Sequence, residues 1–290
     1  MIERFAPQGG VEAAAWQLAH GLAEAGDEVC VVARRAEPSP AVTVRAVRVS
    51  DAWQPARVLA FSRAAARAAP RGRFDVVHSF SRTRHQDVYS ADGGSHAEYM
   101  DRQYEGVGRR LRRASPRHAV LLGIERRVFA DPSQTVLCPS RFVADSVIRR
   151  HGVPAERVAV IPYGVDLARF HPARRPAARA ALRPAAGAGE APVWLLVGTG
   201  WRRKGLDVAL RALARARDRD AQLWVAGGDD AGPWQALATT LGIGARVRFL
   251  GRRDDVEQLY AAADALLLPT RYDAFGAVCL EAAASGIPVV

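Results

Sequence analysis

The sequence has 290 residues, 49% of them hydrophobic, and a formal net charge of +11. This length and apolar content favour two α/β domains over one. No apolar run reaches the roughly 18–20 residues of a membrane-spanning helix, we expect no signal peptide before the first motif, and the three cysteines are isolated, so an integral membrane protein and a disulfide-rich secreted domain are excluded.

The predicted elements of the first half alternate between strand and helix. Helices are predicted over residues 11–24 and 141–151, and strands over residues 28–33, 74–80, 135–138 and 158–161. Ser140 is placed to cap the second of these helices. Such alternation predicts a parallel sheet with helices on both faces.

A change of composition marks the predicted domain boundary. Residues 171–191 are rich in Pro, Ala and Gly and show no strand pattern. We therefore predict a linker there, between an N-terminal domain of residues 1–170 and a C-terminal domain of residues 192–290. In the second domain, strands are predicted over residues 193–197, 222–226, 247–250 and 265–268, and helices over residues 206–216, 234–241, 256–263 and 277–284.

Both ends of the chain fall close to predicted strands. Only residues 1–5 precede the first glycine-rich turn, where a Rossmann-like unit has a full strand, and a further strand starts at residue 288. We therefore expect a chain truncated at both ends, with an incomplete C-terminal domain.

Residues 197–205 (VGTGWRRKG) follow a predicted strand and lead into a helix. Ligands of open α/β sheets bind at that edge, and Arg202, Arg203 and Lys204 supply cations suited to a pyrophosphate group. Lys204 is the single lysine of the sequence, against 40 arginines, which suggests a need for a compact ammonium group. A solvated run of charges is the alternative interpretation.

Residues 271–281 (RYDAFGAVCLE) form a second candidate segment after a predicted strand. Asp273 lies in the turn, and Glu281 lies on the helix that follows. Amide groups at residues 275–277 can hold a phosphate or a sugar hydroxyl, and Glu281 can accept hydrogen bonds from ribose hydroxyls. A capped amphipathic helix is the alternative, and it accounts for Asp273 but not for Glu281.

Two glycine-rich turns of the first half are weaker candidates. Gly9 and Gly10 precede a helix, whose first amides favour an anion, although a tight turn explains the pair equally well. Asp92 and His96 lie in the polar turn of residues 91–98, which is typical of a binding site. A loop histidine without a functional role is the alternative.

Several motifs together resemble a known family. They are GGVE at 9–12, VIPYGVD at 160–166, RKG at 203–205 and DAFGAVCLE at 273–281. Their order and spacing are similar to those of the retaining GT-B glycosyltransferases of the glycosyltransferase group 1 family. Within it, residues 86–98 (QDVYSADGGSHAE) and 251–264 (GRRDDVEQLYAAAD) most resemble the lipopolysaccharide core α-glucosyltransferases.

The resemblance implies a fold, a donor and a set of site residues. The fold is α/β of the GT-B type, with two facing Rossmann-like domains, and the donor is a UDP-sugar transferred without a metal or any further cofactor. The implied donor-binding residues are Gly9, Gly10, Arg202, Arg203, Lys204, Arg252, Phe275, Gly276, Ala277 and Glu281. The implied catalytic residues are Asp273 near the donor sugar, where family members carry Glu, and Asp92 and His96 near the acceptor.

The implied function is transfer of a hexose, most plausibly glucose, to a cell-envelope glycan or glycolipid with retention of configuration. No side chain is an obvious covalent nucleophile. Asp218 and Asp220 precede their strand, at the wrong end of the sheet for a catalytic metal, so no metal site is predicted. A UDP-sugar epimerase of the same fold and an inactive nucleotide-sugar-binding fragment are the alternatives.

The charge is concentrated in the first part of the chain. Residues 1–190 carry 29 Arg and Lys against 19 Asp and Glu, whereas residues 191–290 carry 12 against 11. This asymmetry favours an anionic partner, and no motif favours nucleic acid. Residues 106–129 mix Arg with Val, Leu and Ile, which predicts a cytoplasmic protein that docks on the inner face of the cytoplasmic membrane.

Overall fold

A computed structural model describes residues 1–50, 53–104 and 106–290. The chain divides into two compact units, Met1–Tyr163 and Gly164–Val290. Each is described by itself below. Among the described residues, every helix is too short or too polar to cross a membrane.

Unit 1 alternates parallel strands with helices. Its strands are β1 (Ile2–Phe5), β2 (Cys30–Ala36), β3 (Thr43–Ala46), β4 (His78–Ser79), β5 (Val88–Ser90), β6 (Thr135–Cys138) and β7 (Val158–Val160). Its helices are α1 (Val11–Glu24), α2 (Gln54–Ala68), α3 (His96–Gln103), α4 (Gly106–Ala114), α5 (Pro116–Ala130) and α6 (Arg141–His151). Ser140 caps α6 by accepting a hydrogen bond from the Val143 amide, as predicted.

The strands of unit 1 form two parallel ladders. Strands β1, β2 and β3 pair in that order, and β4, β5, β6 and β7 pair in that order. Met1 joins the two ladders, since its amino group bonds the His78 carbonyl and its carbonyl accepts the Phe80 amide at 2.9 Å. The resulting order, 3-2-1-4-5-6-7, is that of a doubly wound sheet, whose ligands bind at the carboxyl ends of the strands.

Unit 2 has the same alternation. Its helices are α7 (Arg175–Ala185), α8 (Leu206–Arg215), α9 (Gly232–Thr240), α10 (Val256–Ala262) and α11 (Ala277–Ala284). Its strands are β8 (Val193–Val197), β9 (Gln222–Ala226), β10 (Val247–Gly251) and β11 (Ala265–Leu266), which pair in the parallel order β10-β9-β8-β11. The predicted parallel α/β architecture is therefore confirmed.

Both faces of the unit 2 sheet are buried. Leu195 and Trp224 pack with α10 residues on one face, and Leu196 and Val225 pack with α8 residues on the other. Strands covered on both sides need continuous apolar sequence, which is why β8 and β9 lack polar alternation. This burial fixes the strand ends from which the loops described below emerge.

The structure has a helix where a linker without secondary structure was predicted. Residues 172–185 of the predicted linker form a 3₁₀ turn, Pro172–Arg174, followed by α7, which packs on α10 in unit 2. Composition misled because α7 contains two prolines: Pro176 lies in the first turn, where a helix tolerates proline, whereas Pro184 lies inside the helix and is the kind of residue that usually indicates a loop. Residues 164–170 also belong to unit 2, because Phe170 is buried in its core.

Two predicted strands of unit 1 differ from the structure by more than one residue in their bounds. The strand predicted over residues 28–33 is shifted to β2, and the one predicted over residues 74–80 shrinks to β4. In the second case the Asp87 carboxylate accepts the Val77 amide at 2.7 Å. A side chain thus takes the bond that a neighbouring strand would make, and the regular ladder begins at His78.

Arg183 ties α7 to the rest of unit 2. Its guanidinium is only 3% exposed, bonds the carbonyls of Ala262 and Ala191 at 3.0 Å each, and pairs with Asp264. We expect Arg183→Ala to lower the free energy of unfolding by about 3 kcal/mol, because it leaves backbone carbonyls without their donor and removes the most buried cation that pairs with Asp264. Urea unfolding followed by tryptophan fluorescence measures the change.

Arg179→Ala is the matched control. Arg179 lies one turn earlier on α7 and bonds the same Asp264 at 2.6 Å, but its side chain is 29% exposed. Its loss should cost less than about 1 kcal/mol. Equal effects of the two substitutions would contradict the anchoring role of Arg183.

Candidate functional site

Three loops meet at the carboxyl edge of the unit 2 sheet. They follow β8, β9 and β11, which are neighbours or near neighbours in the sheet. The Gly200 amide donates to both carboxylate oxygens of Asp229 at 2.9 Å, joining the first loop to the second. The Arg271 amide donates to the Arg203 carbonyl at 2.9 Å, joining the first loop to the third.

Two glycines allow these loops to approach so closely. Gly205 has a φ of +78°, and a Cβ placed on it would lie 2.0 Å from the Pro269 carbonyl oxygen. A Cβ on Gly227 would lie 2.3 Å from the Gly198 carbonyl oxygen. Neither position can therefore hold a larger residue without moving the backbone of the site.

Lys204 and Asp273 form the central ion pair. The Lys204 ammonium lies 2.7 Å from Asp273 Oδ2, and Lys204 is only 7% exposed. Arg203 lies beside the pair, with Nη1 3.0 Å from the Tyr272 carbonyl and 3.5 Å from Asp273 Oδ2. Burial acts to raise the pKa of Asp273, but Lys204 and then Arg203 outweigh it and hold that pKa below its usual value.

Asp273 also bonds Gly276, the residue that precedes helix α11. Its Oδ1 accepts the Gly276 amide at 3.1 Å, and Gly276 has the left-handed φ of +77° that starts the helix. Amides of a first helical turn have no carbonyl one turn earlier to bond, and they carry the positive end of the helix dipole. The first turn of α11, beginning at Ala277, thus adds to the cations of Arg203 and Lys204 at this edge.

Glu281 is the second carboxylate of the site. It lies one turn into α11 and accepts a hydrogen bond from the Tyr260 hydroxyl at 2.7 Å. Burial raises the pKa of Glu281, while the Tyr260 bond and the charges of Arg169 and Lys204 oppose that rise. The site therefore contains two carboxylates: Asp273 forms an ion pair with Lys204, and Glu281 accepts a hydrogen bond from the neutral Tyr260 hydroxyl.

The structure brings most of the predicted donor residues of unit 2 together. Arg203, Lys204, Asp273 and Glu281 lie around the loops after β8 and β11, and residues 275–277 form the start of α11. Arg252 directly follows β10 and so lies at the same edge of the sheet. Arg202 is exposed, and its carbonyl accepts a bond from Arg271 at 2.5 Å.

Gly9 and Gly10 belong to unit 1. Gly9 has a φ of +106°, and Gly10 is the N-cap residue of α1, directly after β1. The turn therefore has the conformation that only glycine adopts readily, at the carboxyl edge of the unit 1 sheet. Their predicted contact with a donor stays a prediction.

Asp92 and His96 lie in a buried polar region of unit 1. Burial raises the pKa of Asp92 to about 6, and the Tyr163 hydroxyl opposes that rise. His96 begins α3, and its Nε2 lies 2.9 Å from His118 Nδ1. Burial, with a smaller contribution from Arg82, lowers the pKa of His96 to about 3, so the imidazole is neutral near pH 7.

The sequence analysis missed several residues, both in the loops of unit 2 and in the buried polar region of unit 1. Glu125 is 1% exposed and accepts the backbone amides of His96 and Ala97, so it holds the start of α3. His118 and Glu125 lie 22 and 29 residues from His96 in sequence, and no local pattern links them. The loop after β9, with its GGDD run, does carry the usual signal of a strand-end site, and it contains Asp229.

Across the described residues, no cluster of three or more His, Cys, Asp or Glu side chains is arranged to hold a metal ion. Asp218 Oδ1 accepts the amides of Asp220 and Ala221 ahead of β9. The pair Asp218 and Asp220 thus forms a turn at the edge opposite the loops described above, as predicted.

Comparison with known proteins gives two matches along the chain. Residues 8–169 match the model of Glycosyltransferase Family 4, and residues 191–290 match that of Glycosyl transferases group 1. The lipopolysaccharide glucosyltransferase WaaG of Escherichia coli (strain K12) is 32% identical over 222 residues. A D-inositol 3-phosphate glycosyltransferase of Nocardia farcinica (strain IFM 10152) is 34% identical over 178 residues.

The chain spans only part of these relatives. The first alignment covers 74% of this chain and 58% of WaaG, and the second covers 57% of this chain and 39% of its relative. Each relative's name therefore describes a longer protein.

Solved structures agree with the fold. The crystal structure of WaaG, a glycosyltransferase involved in lipopolysaccharide biosynthesis, matches with a TM-score of 0.87 and 27% identity, over 100% of this chain and 80% of that one. Anabaena HepE in complex with UDP-glucose matches with a TM-score of 0.72 and 19% identity, over 99% of this chain and 79% of that one, which supports the fold alone. The chain belongs to Glycosyltransferase Family 4, continues in a segment of the Glycosyl transferases group 1 type, and has the GT-B fold.

Proposed function

We propose that this protein transfers a hexose, glucose in the first instance, from a UDP-sugar to a cell-envelope glycan or glycolipid with retention of configuration. One observation carries the proposal. Lys204, Arg203 and the first turn of α11 converge within unit 2 at a sheet edge that also holds the Glu281 carboxylate. Cations and helix amides suit a diphosphate, and a carboxylate suits ribose hydroxyls.

The chemistry follows from where charge develops. Departure of the UDP group builds negative charge on its outer phosphate, which Lys204, Arg203 and the α11 amides would stabilise without rearrangement. Asp273 holds Lys204 in place through their ion pair and faces the sugar side of the diphosphate in this scheme. The acceptor hydroxyl then attacks from the face that UDP leaves, which retains the configuration of the sugar.

Asp92 is the proposed acceptor-side carboxylate. Buried and titrating near pH 6, it is charged at pH 7 and can accept a proton or a hydrogen bond from an acceptor hydroxyl. His96, neutral at that pH, can accept or donate a hydrogen bond without adding charge.

The names of the relatives support a hexose donor and an envelope acceptor. WaaG is named a lipopolysaccharide glucosyltransferase. The inositol phosphate enzymes show that similar chains are also named for a small phosphorylated acceptor. Glucose and a glycolipid are thus the first donor and acceptor to test.

Helix α4 is the proposed membrane-facing element. Val107 and Leu111 lie one turn apart on it and are 70% and 69% exposed, and four arginines share the helix with them. Arg109 and Arg113 pair with Asp101, at 3.5 and 3.1 Å, which attaches α4 to α3. An exposed apolar pair among arginines suits the boundary of an anionic bilayer.

Calorimetric titration of UDP, UDP-glucose and GDP-mannose tests the donor site. We expect selective binding of the uridine compounds, and Lys204→Ala to weaken it at least about tenfold, because a buried charge-assisted contact to phosphate is lost. Glu281→Ala should weaken binding of UDP by a similar factor. The controls are Arg217→Ala and Glu190→Ala, which remove exposed charges away from the three loops.

Product analysis with labelled UDP-glucose then separates the candidate functions. A glycosylated acceptor of retained configuration supports transfer. A changed sugar without acceptor indicates an epimerase, and tight binding without turnover indicates a nucleotide-sugar-binding protein. Unselective nucleotide binding that Lys204→Ala leaves unchanged would contradict the assigned donor site.

Vesicle sedimentation tests the role of α4. We expect binding to vesicles that contain anionic lipid, little binding to neutral ones, and a loss of several-fold in the double variant Val107→Ser with Leu111→Ser, since each buried apolar side chain adds to the partition free energy. Leu22→Ser, which changes a 40% exposed leucine of α1, is the control. Equal binding to neutral and anionic vesicles would remove the basis for this assignment.

The raised pKa of Asp92 predicts opposite pH dependences of stability and activity. Buried His96, whose pKa is lowered to about 3, makes stability rise with pH over part of the same range, so the Asp92 effect is measured as a difference between the parent and a variant. For Asp92, the folded state binds the proton up to about pH 6, whereas the unfolded chain releases it near pH 4, so the contribution of Asp92 to stability falls as pH rises between these values and is then level. The loss amounts to about 2–3 kcal/mol. Activity, which needs the carboxylate, should instead rise through about pH 6.

Asp92→Asn isolates this effect. The Asn amide has nearly the same shape as the carboxyl group but cannot ionise, so the variant should be more stable than the parent at pH 8 and have lost most of its activity. Thermal unfolding and initial rates from pH 4.5 to 8.5 measure both. If the stability of Asp92→Asn has the same pH dependence as that of the parent, a group other than Asp92 is responsible for the effect.

A further inference from the structure

Tyr260 is a buried hydroxyl donor aimed at Glu281. It lies on α10, is 0% exposed, and donates to Glu281 Oε2 at 2.7 Å. The Phe170 ring packs edge-on against its ring, with centroids 5.8 Å apart, and both belong to the core on one face of the unit 2 sheet. A phenol packed on all sides cannot follow a moving partner, so Tyr260 fixes where its partner sits.

Only one of the two Glu281 oxygens is used by the protein. Within the described residues, Oε2 takes the Tyr260 bond and no protein group bonds Oε1. Glu281 itself is partly exposed. A carboxylate can accept several hydrogen bonds, and the unused oxygen is therefore held in one orientation and open to a ligand hydroxyl.

The Tyr260 bond also keeps this carboxylate charged. Burial favours the protonated form of Glu281, and the first opposing influence is the Tyr260 hydroxyl. Only the ionised group accepts at both oxygens, because a protonated one turns an acceptor into a donor. Without Tyr260, Glu281 would be both less fixed and more easily protonated.

We propose that Tyr260 is a positioning residue that orients Glu281 and so gives the donor site its preference for a ribose over a 2′-deoxyribose. The inference rests on the proposed donor site and assigns no contact between Tyr260 and the nucleotide. A fixed Oε1 discriminates between sugars that differ by one hydroxyl, because the deoxy compound leaves a desolvated carboxylate oxygen without a donor.

A purely structural role makes different predictions. A buried tyrosine needs some acceptor, and a pair that served stability alone would change unfolding and leave nucleotide selectivity and its pH dependence untouched. The experiment therefore measures selectivity and pH dependence of binding as well as thermal stability.

The test compares Tyr260→Phe with the parent by titrating UDP and 2′-deoxy-UDP between pH 5 and 8. We expect UDP to bind about tenfold more weakly to the variant than to the parent. The affinity for 2′-deoxy-UDP should fall by a smaller factor, so the ratio of the two dissociation constants should move towards one. Affinity for UDP is lost on acidification as Glu281 protonates. Since the variant has the higher Glu281 pKa, it should lose that affinity at a higher pH than the parent.

Two further variants sharpen the result. Ser285→Ala removes another buried hydroxyl at the far end of α11, for which the described residues supply no hydrogen-bond partner, and should leave both dissociation constants unchanged. In the background of Glu281→Gln, Tyr260→Phe should add little, because Tyr260 acts through Glu281.

The outcomes separate the two proposals. If the parent binds UDP selectively, and Tyr260→Phe changes its melting temperature but neither the selectivity nor the pH profile, the positioning role is overturned and the donor site stands. Additive effects of Tyr260→Phe and Glu281→Gln would overturn it too. If the parent binds no uridine nucleotide, the proposed function fails together with the inference.

Discussion

The close approach of two strand-end loops at Gly205 and Pro269 is the constraint on which the unit 2 site depends. Because these loops touch through backbone atoms, Lys204 reaches Asp273 across them and the Arg203 carbonyl meets the Arg271 amide. The same contact places the start of α11 beside both cations. A single side chain at Gly205 would separate the charged groups that the proposed chemistry requires close together.

The site is also balanced in charge before any ligand arrives. Lys204 is paired with Asp273, and Glu281 is bonded to a neutral phenol and only partly buried. A buried ammonium without a partner would be costly, so Asp273 allows the cation to be kept ready in a sheltered place. An entering diphosphate would compete with Asp273 for Lys204 instead of desolvating a free ammonium group.

Much of the fold follows from the sequence, and the site follows in part. Apolar runs bounded by proline, glycine or polar residues located β6, β8, β9 and α11 with correct bounds, because buried strands and helices that begin after a glycine leave local signals. The prediction of a linker failed because α7, a helix rich in Ala and Pro, has the composition of a loop. Tyr260, His118 and Glu125 could not be found, since their partners come from distant segments and only packing joins them.

The use of arginine for every basic residue but one has a consequence for the surface. Guanidinium groups stay protonated at any pH a cell reaches and are not substrates of lysine acetylation, so the charge that the arginines supply is neither titrated nor removed by that modification. The one side chain of the protein that an acetyl group could discharge is Lys204, which is nearly inaccessible and held by an ion pair. The proposed attraction to anionic surfaces would thus be changed by salt or competing anions and not by lysine chemistry.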